Sequence, residues 1–356
     1  MTLDDLGWSP QFAAAFEEYR SKGWVPARVS LEHTHIYRVL MPDGEHLARV
    51  SGRLRHHASR RSDFPAVGDW VAVEQADDRD VRVHAVLPRK AKFSRRAAGD
   101  VTEEQIVAAN VDVVLLVSGL DFDFNPRRIE RYLLTAWDSG ASPVVVLNKA
   151  DLVDDVTPFV EEVAPLAAGV PVVPVSTRIP ESIETLRSFL GRGRTGAMLG
   201  SSGVGKSSIV NALLGEDRLR TREVRQSDSR GRHTSTAREL LLLPDHSGIL
   251  IDTPGMRELQ LWDSADSMGS AFTDIEALAA GCRFRDCRHS GEPGCAVGAA
   301  VETGRLSPIR LESFQKLQAE QAHQERQADQ RAALEQKRRF KVLTKALNKK
   351  LKEDGP

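Results

Sequence analysis

Residues 200–207 read GSSGVGKS, and their setting decides the fold. The stretch fits G-x4-G-K-[ST] at Gly200, Gly205, Lys206 and Ser207; the apolar run GAMLG leads into it and the helical run KSSIVNALL leads out. Strand, glycine-rich loop and helix in that order make a phosphate loop. Ser201, Ser202, Gly203 and Val204 present backbone N–H groups to phosphate oxygens, and Ser208 stands in the first helical turn. Lys206 neutralises β/γ charge, while the Ser207 hydroxyl can reach Mg2+.

Two further segments belong to the same chemistry. GILIDTPG ends a strand with Asp252, a carboxylate for a Mg2+ water, and places Gly255 where its N–H can meet a γ-phosphate. GRHTSTAREL, lying between, offers Thr234 and Thr236, either of which can complete the Mg2+ shell. Upstream of all of these, residues 148–151 read NKAD after the apolar run SPVVVL. Asp151 can accept from guanine N1–H and the exocyclic amine, which selects GTP over ATP. Asn148 braces loop and base, Lys149 lies along the ring, and Ser176, ending VPVVPVS, has a backbone N–H for the base oxygen.

In ordinary GTPases the phosphate loop comes before NKxD, so the order here is reversed. A doubly wound sheet binds its ligand beyond the carboxyl ends of several strands, whichever of them starts the chain. A circular permutation therefore preserves the site.

Outside this region the chain changes rhythm. Residues 1–24 suggest a short helix, with Phe12, Phe16 and Tyr19 at helical spacing. From 25 to 98 short β-like runs punctuated by PDG and PAVGD suggest a small barrel, whose size suits oligonucleotide binding. Residues 99–264 alternate apolar strands with helices such as PRRIERYLLTAW, an α/β layout. A polar, cysteine-bearing segment follows over 265–320, and from Ser307 to Lys352 a long helix is expected, its end forming an extension over 321–356. The fold class is thus multidomain: barrel, permuted α/β P-loop domain and a small helical metal-binding domain.

The net charge of −1 excludes a uniformly basic nucleic-acid binder and conceals local asymmetry. Residues 337–352, KRRFKVLTKALNKKLK, carry bases and no acid, and residues 26–95 are basic and histidine-rich, so both can neutralise phosphates. No apolar run approaches the roughly 18 residues of a membrane span, and the N-terminus MTLDDLGWSPQF has no apolar signal core. A cytoplasmic, monomeric protein is expected.

All 3 cysteines fall in CRFRDCRHSGEPGC. Cys282, Cys287, His289 and Cys295, spaced C-x4-C-x-H-x5-C, match a closed tetrahedral Zn2+ site with no position left for catalytic water. Arg283, Arg285 and Arg288 stand beside it, available to RNA. After DTPG, where many GTPases carry a water-orienting Gln, Met256 has no group to orient water. His233, beside the switch threonines, is the candidate to do so instead.

The motif order, together with PAVGDWVAV, VLPRKAKFSRRAAG, AANVDVVLLV, GRHTSTAREL, DTPGMREL and the cysteine cluster, resembles the RsgA family of permuted GTPases over roughly residues 25–320. The resemblance implies an OB-fold barrel, a permuted GTPase and a zinc domain that together bind the small ribosomal subunit and its rRNA late in maturation. GTP hydrolysis to GDP then times departure. The family's RHTTT is RHTST here, so Ser235 leaves open which hydroxyl holds Mg2+. An rRNA-binding protein that merely tethers its nucleotide is the alternative.

Overall fold

Apolar residues alternating from Val25 to Val86 build a closed barrel. A helix, α1 (Pro10–Arg20), precedes it. Its strands are β1 (Val25–His33), β2 (Ile36–Met41), β3 (Gly44–Val50), β4 (Trp70–Asp77) and β5 (Asp80–Val86), with a short helix α2 (Gly52–His57) after β3. They hydrogen-bond in the order β1-β2-β3-β5-β4, and β4 closes the ring antiparallel to β1 with Arg28 opposite Trp70. Val29, Val39, Val71 and Val83 are buried together in its apolar core. This five-strand order is the OB-type barrel, and closure leaves no unpaired edge.

The computed structural model describes residues 1–33, 36–77, 80–96, 104–121, 123–219, 238–252, 272–306, 308, 310–312, 314–315 and 318. By internal packing it forms two units, Met1–Ser267 and Met268–Pro356.

In the first unit a hairpin of β6 (Lys92–Arg96) and β7 (Glu104–Ala109) leads from the barrel to the α/β region, pairing across residue 98. There the chain runs β8 (Val113–Gly119), α3 (Pro126–Ser139), β9 (Ser142–Asn148), α4 (Thr157–Val163), β10 (Val172–Pro174), α5 (Pro180–Leu190), β11 (Thr195–Leu199), α6 (Lys206–Leu214), β12 (Glu239–Leu242) and β13 (Ile249–Asp252). Strands order as β10-β9-β8-β11-β13-β12, all neighbours parallel except β13 and β12. From β8 the sheet grows one way through β9 and β10 and the other way from β11, so the switch point lies between β8 and β11.

Alternate residues of the central strands feed two cores. Leu116, Leu147 and Leu199 face α3 and α4, whereas Leu115, Val146 and Met198 face α5 and α6. That two-sided burial explains why these strands read as unbroken apolar runs rather than alternating ones. Helix α1 joins the first core through Phe12 and Phe16, which are 1% and 3% exposed, each adding about 1.5–3 kcal/mol.

Two features were not foreseen. Strand β12 extends the sheet to the barrel, with Leu31 of β1 opposite Glu239, so one eleven-stranded sheet runs through both parts. Arg28 is fully buried outside the barrel wall and donates to the carbonyls of Leu6, Gly68 (3.3 Å) and Asn110 (3.4 Å) and to Thr195 Oγ1 (2.7 Å). Burial pushes its guanidinium down to about 10. Nearby, Arg89 grips the buried Asp69 carboxylate with two hydrogen bonds of 2.8 and 2.7 Å.

The second unit has α7 (Thr273–Ala279) and α8 (Ala296–Glu302) around a small core of Phe272, Ile275, Val297 and Ala300. Phe314 meets Phe272 edge-on at 5.3 Å between ring centres. The expected long helix beyond residue 318 lies outside the described residues.

Candidate nucleotide site and cysteine–histidine cluster

The phosphate loop leaves β11 where a side chain cannot fit. A Cβ on Gly200 would run into the Val117 carbonyl of β8. Gly203 and Gly205 take φ of +84° and +96°, a region that L side chains avoid, and a Cβ on Gly205 would strike the Asn148 amide. Helix α6 begins immediately at Lys206, so the loop's N–H groups gather at a helix N-terminus, where an anion is favoured. Lys206 Nζ donates to the carbonyls of Gly200 (2.7 Å) and Ser201 (2.6 Å).

NKAD, following β9, is hydrogen-bonded to this loop. The buried Asn148 donates from Nδ2 to the Val204 carbonyl at 2.7 Å. Lys149, held in the left-handed region at φ +63°, donates to the Gly203 carbonyl at 2.8 Å and pairs with the Asp121 carboxylate. The reversed motifs therefore meet directly, beyond the ends of β9 and β11, the two strands that flank β8.

Asp151 is held at the same edge. Its Oδ1 accepts from the Ser176 hydroxyl at 2.6 Å, and Oδ2 lies 3.1 Å from the Arg178 guanidinium. The Ser176 N–H, expected to face a base oxygen, donates here to Ser182 Oγ at 3.0 Å. Asp252 ends β13, the strand beside β11, so its carboxylate and Ser207 in the first turn of α6 belong to the same carboxyl edge of the sheet. Ser201 accepts from Arg128 of α3, and Ser208 sits in the first turn of α6. His233, Thr234, Thr236, Gly255 and Met256 lie outside the described residues.

Sequence reasoning passed over Asp121, Asp123, Arg128, Arg178 and Ser182. Asp121, Asp123 and Arg128 follow β8, beside the switch point, and Arg178 and Ser182 follow β10. The signal for the first group was available in DFDFNPRR, an acidic and basic cluster placed directly after a buried strand.

In the second unit Cys282 follows α7 and Cys295 caps α8, its sulfur accepting from the Gly298 N–H at 3.2 Å. His289 takes φ of +57°, and its carbonyl is held by Gln315 at 2.7 Å. Glu292 accepts from the N–H groups of Arg288 (3.1 Å) and Ser290 (2.7 Å), folding the loop on itself. The ligand atoms of Cys282, Cys287, His289 and Cys295 all lie within 4.8 Å of one another. Metal–sulfur and metal–nitrogen bonds of about 2.3 and 2.0 Å in a tetrahedron put sulfur and nitrogen about 3.5 Å apart. His289 Nδ1 is 3.4 Å from Cys295 Sγ and 3.7 Å from Cys282 Sγ, so the donor set fits such an ion. Arg283, Arg285 and Arg288 are exposed around it.

Comparison with known proteins agrees with this architecture. The family model for RsgA GTPase matches residues 86–262. A relative from Opitutus terrae, the small ribosomal subunit biogenesis GTPase RsgA, is 48% identical over 353 residues, covering 96% of each chain. The crystal structure of YjeQ from Thermotoga maritima matches with a TM-score of 0.64 at 28% identity, over 83% of this chain and 98% of that one. The crystal structure of YloQ, a circularly permuted GTPase, shares the fold at a TM-score of 0.60 and 22% identity, over 83% and 94% of the two chains. A closed five-strand barrel, reversed nucleotide motifs joined by hydrogen bonds, and near-full-length identity to named members together establish that the chain belongs to the RsgA family of circularly permuted GTPases.

Proposed function

We propose that this protein binds GTP, hydrolyses it to GDP and phosphate on the small ribosomal subunit during late maturation, and leaves when hydrolysis is complete. The observation that carries the reading is the pair of hydrogen bonds from Asn148 and Lys149 to the phosphate loop, which makes one pocket from two reversed motifs. Asp151 reads guanine, with Ser176 beside it, while loop amides and Lys206 take the phosphates. Ser207, Asp252 and one of Thr234 and Thr236 would hold Mg2+, which draws charge from the β- and γ-phosphates when bound. His233 orients the attacking water in place of the missing Gln, so turnover is slow until a partner orders the site.

Cys282, Cys287, His289 and Cys295 would hold one zinc ion, structural because four protein ligands leave no open position. rRNA contacts come from the barrel over 25–98, the cluster domain over 265–320 and the basic extension over 321–356, flanking the GTPase region over 99–264 and following the N-terminal extension over 1–24. Among the described residues no helix is long and apolar enough to cross a membrane. The relatives' role in ribosome biogenesis supports a cytoplasmic protein, acting as a monomer.

The test is GTP hydrolysis with purified small subunits, large subunits or neither. Stimulation confined to small subunits, and abolished in Lys206→Ala, is expected, as is its loss in His233→Ala with GTP binding retained. Tight GTP binding without any stimulation would instead favour a tethered nucleotide in an rRNA-binding protein.

A further inference from the structure

The loop after β8 and the first turn of α3 have no assigned part in the site, yet that turn carries a cation to the phosphate loop. Asn125 caps α3, its side chain accepting from the Arg128 N–H at 3.1 Å, which fixes the first helical turn. From that turn Arg128 Nη1 donates to Asp123 Oδ1 at 2.7 Å and to the Ser201 hydroxyl. Asp123 is tied back through its N–H to Asp121 Oδ1 at 3.0 Å, and Asp121 in turn holds Lys149. Among the described residues, Nε and Nη2 of Arg128 donate to nothing, leaving one edge of the guanidinium fork open.

The position of Ser201 indicates which part of a nucleotide this edge would meet. Asn148 and Lys149, on the base side, engage the loop at Val204 and Gly203. Ser201 lies toward the other end, and its carbonyl accepts from Lys206, the residue that neutralises β/γ charge in a phosphate loop. Two cations therefore converge on Ser201, one at its carbonyl and one at its hydroxyl. A guanidinium offers paired N–H donors that match phosphate oxygens, and an arginine supplied in cis is one established way to stabilise charge on a transferring phosphoryl group.

We propose that Arg128 is a phosphate-binding residue that favours the triphosphate, moving part of its hydrogen bonding from Asp123 to a terminal phosphate oxygen. This rests on the GTP-binding reading above. Asp123 then serves as the resting partner, and the GTP-to-GDP affinity ratio is set partly by the competition between them.

The experiment measures affinities for GTP and GDP in wild type, Arg128→Gln, Arg128→Lys and Asp123→Asn, with thermal melting of each. The ratio is normalised to the folded protein, so a modest loss of stability does not move it. Arg128→Gln is expected to weaken GTP about ten-fold with GDP changed less than about two-fold, as loss of one charge-assisted contact would do. Arg128→Lys is expected to fall between, and Asp123→Asn to raise the preference for GTP. Equal weakening of GTP and GDP in Arg128→Gln, or a fall in both in Asp123→Asn, would show a loop brace and overturn the proposal, as would unchanged affinities. If wild type itself bound neither nucleotide, the GTP-binding reading would fail instead.

Discussion

The phosphate loop is held by residues at or beyond the ends of β8, β9 and β11, spread from Arg128 to Lys206, whereas the four ligand atoms of the cluster come from the single stretch 282–295. Around the first lie two large apolar cores. Around the second lie a few buried side chains of two seven-residue helices. A site built on buried strands holds its shape from the packing of the whole unit. A site built from one short loop needs something at its centre, because so little apolar surface cannot offset the conformational entropy of ordering it.

That contrast can be broken most easily at the cluster. Chelation, or Cys287→Ser, is expected to unfold residues 272–306, since zinc contributes about 10–16 kcal/mol to folding in sites of this kind. Limited proteolysis should then cut this region while residues 104–219 stay protected. Elemental analysis should return about one zinc per chain in the native protein. A metal-free protein with protected residues 272–306 would erase the distinction.

Within the first unit the next largest effect belongs to a buried ion pair. Arg89→Ala strands the Asp69 carboxylate, which is fully buried and which burial alone already pushes upward in pKa. A loss of about 3–5 kcal/mol in urea unfolding is expected, with the cluster's zinc content unchanged. A loss below about 1 kcal/mol would mean that the barrel does not depend on this pair.

A smaller change sharpens the comparison at the loop itself. Gly205→Ala places a methyl at φ +96° against the Asn148 amide. About 1–3 kcal/mol of stability should be lost, together with most nucleotide affinity, because the loop must shift away from Asn148. Unaltered nucleotide binding would show that the Asn148 contact is dispensable.

The same contrast decides which features are legible in the sequence. The glycines of the G-x4-G-K-[ST] pattern, NKAD and the cysteine spacing are local patterns whose chemistry demands fixed residue types, so they were visible. Parallel strands were visible too, as apolar runs buried on both faces. Arg28 was not, because an arginine in a β-like run is ordinarily a solvated side chain, and the meeting of Leu6, Gly68, Asn110 and Thr195 makes a place for it. Nor was the continuity between barrel and α/β sheet, which depends on the pairing of Leu31 with Glu239 across more than half the chain. Asp123 and Arg128 went unread for a related reason. Ser201, the partner of Arg128, is distant in sequence, and the charged cluster DFDFNPRR that follows β8 fits no fixed motif.

On the proposed reading, NKAD and the phosphate loop form one guanine pocket despite their order. Asp151→Asn tests it most directly, by titration with GTP and with XTP. An amide can no longer accept both guanine donors but can pair with the xanthine edge, which has an oxygen where guanine has its amine. The account predicts that GTP affinity collapses by about a hundred-fold while XTP binding appears, the cost of mispairing a buried hydrogen-bonding group being about 1–3 kcal/mol. GTP affinity equal to wild type, with no gain for XTP, would contradict it and leave the two motifs as neighbours without a shared ligand.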